Sequence, residues 1–70
     1  MERKAVVSND LAIVGYEDKT NTLEVAFRSG GVYHYLDVPR KIYNELMKAD
    51  SHGNYFNANI KNAYKSKKIA

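Results

Sequence analysis

The chain predicts a small α+β domain: a three-stranded antiparallel meander followed by two short helices packed on one face of the sheet. Three observations carry this. Residues 22–28 alternate apolar and polar side chains at period two, as a half-buried strand does. A Ser29-Gly30-Gly31 hairpin signal joins them to a second β-rich run, Val32–Leu36. Beyond Pro39, apolar residues recur at helical spacing. The 70 residues suit a single domain spanning 1–70, with a core of roughly 8–66 and a basic tail behind it. A chain this short buries only roughly 60% of its unfolded surface, so every apolar side chain matters to its stability.

Leu11–Tyr16, apolar and partly β-branched, reads as the first strand. Glu17–Asn21 is polar and turn-forming, hence a loop. In the second strand Leu23, Val25 and Phe27 take one face, while Thr22, Glu24, Ala26 and Arg28 take the other. The hairpin that follows sets the parity of the third strand. A two-residue turn at Ser29-Gly30 places Phe27 opposite Val32, and Val32, His34 and Leu36 then join the apolar face. Tyr33 and Tyr35 turn to the other face, near Arg28. A three-residue loop that includes Gly31 inverts the parity and sends both tyrosines to the Phe27 face. The two-residue turn is the expected one, because it leaves His34 as the only polar side chain among the apolar ones.

Pro39 suits the first position of a helix, where its missing N–H costs nothing. Ile42, Tyr43, Leu46, Met47 and Ala49 form the apolar stripe, and Lys41, Glu45 and Lys48 the wet side. Gly53 reads as a helix stop with positive φ. A second helix is expected from an Asn54 cap, with Phe56, Ile60, Ala63 and Tyr64 along its stripe and Lys61, Lys65 and Lys68 opposite. One sheet face must lie under these stripes, since an open three-stranded sheet cannot hide Phe27 and its neighbours alone.

Composition narrows the function. With no cysteine, disulfides and thiolate metal sites are excluded. No apolar run approaches the ~18 residues of a membrane span, and the N-terminus lacks a secretory pattern, so a cytoplasmic protein without membrane contact is expected. The net charge of +3 is unevenly placed. Residues 1–60 carry 7 Lys/Arg against 8 Asp/Glu, whereas 61–70 carry Lys61, Lys65, Lys67 and Lys68 and no acid. Such a tail attracts nucleic acid or an anionic membrane through long-range electrostatics, or simply keeps a small protein soluble.

Nothing in the sequence assembles catalysis. No serine sits in a nucleophile elbow, and Ser51 and His52 are adjacent, which points their side chains apart. The glycines form no phosphate-cradling loop, and two histidines without metal-ligand spacing make no zinc site. The expectation is a non-enzymatic binding domain without a cofactor.

Binding has better candidates. Tyr33 and Tyr35 lie two apart on one strand, so their rings emerge ~7 Å apart on one face and, if exposed beside Arg28, stack on unpaired bases. The alternative is that both rings pack beneath a helix. Lys61, Lys65 and Lys68, helped by Arg40 and Lys41, would contact phosphates. Tyr43 and Tyr64 belong to the core, and His34 reads as a hydrogen-bonded, half-buried histidine. Asn54, Asn57, Asn59 and Asn62 suit either turn capping or the reading of base edges. The partner expected is RNA or a nucleotide ligand. The alternatives are a protein-interaction module using the edge of Val32–Leu36 or of an outer strand, a homo-oligomer through an exposed tyrosine patch, or a protein that sequesters a small nucleotide.

The series Gly15-Tyr16, Thr22–Phe27, Gly31–Tyr35 and Val38-Pro39 resembles the KTSC domain, named for the C-terminus of certain lysyl-tRNA synthetases and also found as small stand-alone bacterial and phage proteins. Tyr43, Leu46, Ala49, Ser51, Gly53, Tyr55-Phe56-Asn57, Ile60-Lys61 and Tyr64 continue it, so that the resemblance covers roughly 8–66. The Tyr-any-Tyr hallmark of that family is matched by Tyr33, His34 and Tyr35. At Ser8-Asn9-Asp10 the chain departs from a more serine-rich pattern. The resemblance implies contact with RNA, through the family's attachment to a tRNA-charging enzyme.

Overall fold

In the computed structural model, which describes residues 1–70, the antiparallel meander has five strands, not three. They are β1 (Glu2–Ala5), β2 (Leu11–Glu17), β3 (Thr22–Phe27), β4 (Val32–Tyr35) and β5 (Ser66–Lys68), in the spatial order β1-β2-β3-β4-β5. Helices α1 (Arg40–Lys48) and α2 (His52–Asn59) lie between β4 and β5 in the chain. The two additional strands are the outer ones, and every residue in them is exposed. Ladder hydrogen bonds hold them rather than a buried face, so neither has the alternation that marks a strand in sequence. Their charged side chains also protect the sheet edges from pairing with other chains.

The β3–β4 hairpin closes through three residues, Arg28, Ser29 and Gly30, with Phe27 N–H donating to Gly31 O and Gly30 N–H to Phe27 O, both at 3.0 Å. Gly30 (φ 101°) and Gly31 (φ 90°) supply the left-handed conformations that this longer loop needs. The expected two-residue turn is therefore corrected, and the parity with it. Leu23 pairs with Tyr35, Val25 with Tyr33 and Glu24 with His34. Tyr33 and Tyr35 accordingly stand on the helix-covered face, while His34 and Val32 stand on the open one. The two consecutive glycines make the inversion sterically easy, and it places the Tyr35 ring in the core and packs the half-buried Tyr33 ring against it, in place of Val32 and His34.

The core lies between sheet and helices. Val14, Tyr16, Leu23, Val25 and Tyr35 rise from the sheet to meet Tyr43, Leu46 and Phe56 from the helices, with Val6, Leu11, Val38 and Ile60 closing the ends. At one end, Tyr16 and Tyr43 stack with centroids 5.0 Å apart and planes at 16°. The Arg40 guanidinium sits over both rings and pairs with Asp18. The buried Tyr16 hydroxyl donates to Val38 O at 2.6 Å, tying the start of α1 to the sheet.

Pro39 occupies the N-cap, one residue ahead of the expected position. Helix α2 begins earlier and ends sooner than its sequence suggests. Ser51 caps it, its Oγ accepting from Asn54 N–H at 3.2 Å, so Asn54 is not the cap. Gly53 is no stop: it is buried inside the first turn, where a Cβ would stand 2.9 Å from Asp10 Oδ2. It is small because the 8–10 loop crosses there. The helix ends at Asn59, whose carboxamide donates to Tyr55 O. Its asparagines are poor helix formers, and the chain beyond must turn back to pair with β4. Lys61, Lys65 and Lys68 thus share no helical face: Lys61 lies in the turn after α2, Lys65 precedes β5, and Lys68 belongs to β5.

Candidate nucleic-acid interface

Where α2 ends above the β3–β4 hairpin, the sheet and helix diverge and leave an open groove of about 630 Å³. Four aromatic residues line it in an edge-to-face chain. Tyr33 meets Phe27 at 5.6 Å (80°), Phe27 meets Phe56 at 5.5 Å (71°), and Phe56 meets Tyr35 at 5.3 Å (82°). The strand parity, the three-residue loop and the early end of α2 together put these rings side by side. Tyr33 and Phe27 are half-buried, whereas Tyr35 retains only 5% of its surface. The groove's rim is polar: Asn9 and Asp10 from the loop before β2, Asn57 from α2, Lys61 and Asn62 from the turn after it, and Ser66 from β5.

The groove's polar groups are largely free. Neither the Tyr33 nor the Tyr35 hydroxyl meets a protein partner, and no buried side-chain polar atom is left without one, so both hydroxyls remain in reach of solvent. Burial, then the neighbouring Tyr33, holds the Tyr35 phenol above its ordinary pKa, so it stays a protonated donor at neutral pH. Tyr55, outside the groove, donates to Glu45 at 2.8 Å and is pushed up to about 12, chiefly by burial.

Of the six residues expected to form a binding surface, Tyr33, Tyr35 and Lys61 converge on this groove. The two tyrosines do so from the helix side, not from an exposed sheet face. Lys68 pairs with Tyr33 in register and stands on the same side of the sheet. Arg28 points elsewhere: its Nε donates to Ser8 O, and it lines an adjoining hollow with Asp50, Ser51 and His52. Lys65 is exposed and lines neither cavity. The Val32–Leu36 edge offered for pairing with another protein is covered, because β5 occupies it. Phe27, Phe56, Asn9 and Asp10 are lining residues that sequence reasoning missed. Phe27 and Phe56 read as pure core, and the 8–10 loop is brought in only by tertiary structure.

The open sheet face carries a different arrangement. Arg3, Gly15, Glu24, His34 and Lys67 follow one another across the five strands in register. Glu24 is buried (7% exposed) and accepts from the Arg3 guanidinium and from His34 Nε2 at 2.8 Å. The Arg3 hydrogen bond, opposed by burial and aided by His34, holds its carboxyl below the ordinary value. Gly15 makes room for this, since a Cβ there would meet Met1 Sδ at 2.9 Å and Arg3 Cγ at 3.1 Å. His34 is half-buried and hydrogen-bonded as expected, but on the face opposite to the one expected. Ser51 and His52, the adjacent nucleophile and base candidates, are both engaged in helix structure: Ser51 caps α2 and His52 Nδ1 bonds Leu46 O at 2.8 Å.

A five-stranded meander backed by two helices, with an aromatic groove at one end, defines a small α+β domain. The chain belongs to the KTSC domain family, whose model matches residues 7–64. A crystal structure of a KTSC domain protein from Yersinia pestis superposes with a TM-score of 0.96 at 35% identity, covering 99% of this chain and 97% of that one. An uncharacterized protein of Stutzerimonas stutzeri is 42% identical over 81% of this chain and 80% of its own length. A lysine–tRNA ligase of Nostoc punctiforme is 42% identical over 79% of this chain, which spans only 10% of that enzyme. The family match stops short of both outer strands, β1 and β5. No helix of the chain is long and apolar enough to cross a membrane.

Proposed function

We propose that the domain is a non-enzymatic RNA-contacting module whose seat is the groove between β4 and α2. The observation that carries this is the convergence of Tyr33, Tyr35, Phe27 and Phe56 with Lys61 around one open cavity. The half-buried Tyr33 and Phe27 rings offer π-surface to any base, with Tyr35 and Phe56 packed behind them, and lysines beside them meet the phosphates; single-stranded nucleic acid is bound in this way elsewhere. Lys68 stands next to Tyr33 and extends the positive charge along β5. The family's presence within lysine–tRNA ligases, which by name act with tRNA, supports the same reading.

Titration of labelled single-stranded RNA tests it. Binding is expected at ~50 mM salt and weakens steeply as salt rises, since each phosphate contact releases counterion. Exchanging Lys61 and Lys68 for glutamine weakens binding and flattens the salt slope by about one to two units. Both lysines are exposed, so the fold survives the exchange. Absence of salt-dependent binding at ~50 mM salt overturns the proposal.

A further inference from the structure

The groove contains more unspent hydrogen-bonding capacity than phosphate binding needs. Asn57 and Asn62 present carboxamides on its rim that meet no partner in the protein, and the Tyr33 and Tyr35 hydroxyls are equally free. Tyr35 is the most informative of these. Its ring is held on β4 by contact with Phe56, it is 95% covered, and its hydroxyl nevertheless finds no acceptor or donor. The ring is covered but the hydroxyl is not: it opens onto the groove, where it is held in place and available to a ligand. Carboxamides and hydroxyls cannot pair with apolar matter, and a carboxamide presents a donor and an acceptor side by side, of which a phosphate uses only the donor. They match the edge of a heterocycle, where donors and acceptors alternate.

Size and shape agree. About 630 Å³ falls within the range of small-molecule sites and admits a single nucleotide unit, whereas a base pair within a helix keeps its edges occupied by its partner. The half-buried Tyr33 and Phe27 rings at the mouth offer the contact for the base plane, and Lys61 stands where an attached phosphate would be neutralised.

We infer that the groove is a seat for one unpaired nucleobase, its edge read by Asn57, Asn62 and the Tyr35 hydroxyl and its phosphate met by Lys61. This rests on the RNA reading above and adds base recognition to it. Binding then depends on the base as well as on backbone charge, and differs among bases.

The experiment compares a single-stranded RNA decamer with an abasic decamer of equal charge, against the wild-type chain and the double variant Asn57→Ala, Asn62→Ala. Both asparagines are exposed, so the variant folds. The abasic strand is expected to bind at least about tenfold more weakly than the RNA, from the loss of base contact. Oligo-A, oligo-C and oligo-U decamers are expected to differ in affinity on the wild type and to converge on the double variant. A free nucleoside monophosphate that binds as tightly as its decamer identifies a mononucleotide as the ligand, retaining the seat and overturning the RNA strand as its source. Equal binding of abasic and normal strands overturns the seat while leaving the RNA module standing. Failure of every strand to bind overturns both.

Discussion

Phe56→Ala is expected to lower stability by about 3–5 kcal/mol, as deletion of a fully packed phenylalanine does. Phe56 is 2% exposed and is the one α2 ring that touches both Phe27 and Tyr35. Removing it leaves a void that the sheet cannot close, because β3 and β4 are fixed by their ladder. In a domain of 70 residues, that loss consumes a large part of the total stability. Urea unfolding followed by circular dichroism measures it. A Phe56→Leu variant, which refills most of the volume, recovers much of the difference. A change below about 1 kcal/mol for Phe56→Ala would show that α2 does not pack as described.

The second large effect concerns Glu24. Its carboxylate is the acceptor shared by Arg3 and His34 on the otherwise open sheet face, and it ties β1, β3 and β4 together. Glu24→Ala is expected to cost about 1–3 kcal/mol near neutral pH, since two donors lose their acceptor. The sign of the pH dependence follows from the direction of the shift. The folded carboxyl titrates below 4.5, the ordinary value that it regains on unfolding, so its stabilisation is complete above 4.5. As pH falls through the folded value, that stabilisation disappears. The stability gap between wild type and Glu24→Ala therefore closes in acid, as pH falls from above 4.5 through the folded value. A gap that persists unchanged to about pH 2 would contradict the assignment.

How much of this was legible in the sequence depended on where each signal resided. The clean alternation of Thr22–Phe27 and the spacing of Ile42, Tyr43 and Leu46 express one apolar face turned to the core, and both elements form as read. The outer strands express none. Glu2–Ala5 and Ser66–Lys68 are held by backbone pairing, which leaves no side-chain pattern, so the lysines of β5 read as a helix face instead. The hairpin parity turned on a single residue of loop length beside two consecutive glycines, where either turn is sterically open. Tertiary packing decided it, by burying Tyr35 and half-burying Tyr33 in place of Val32 and His34. Gly53 shows the same limit in reverse: its smallness serves the 8–10 loop, a contact between distant segments, and not the local turn that its position suggests. Tyr33, Tyr35 and Lys61 were recognisable as residue types suited to nucleic acid. Their meeting in a groove with Phe27 and Phe56 depends on parity, loop length and the end of α2 at once.

Two-dimensional NMR of the labelled domain, titrated with single-stranded RNA at low salt, addresses the account most directly. Shifts are predicted to concentrate on Tyr33, Tyr35, Asn57, Lys61 and Asn62 around the groove, with His34 and Lys67 on the opposite sheet face unmoved. Shifts confined to that opposite face, or scattered over the lysines with the groove silent, would contradict it.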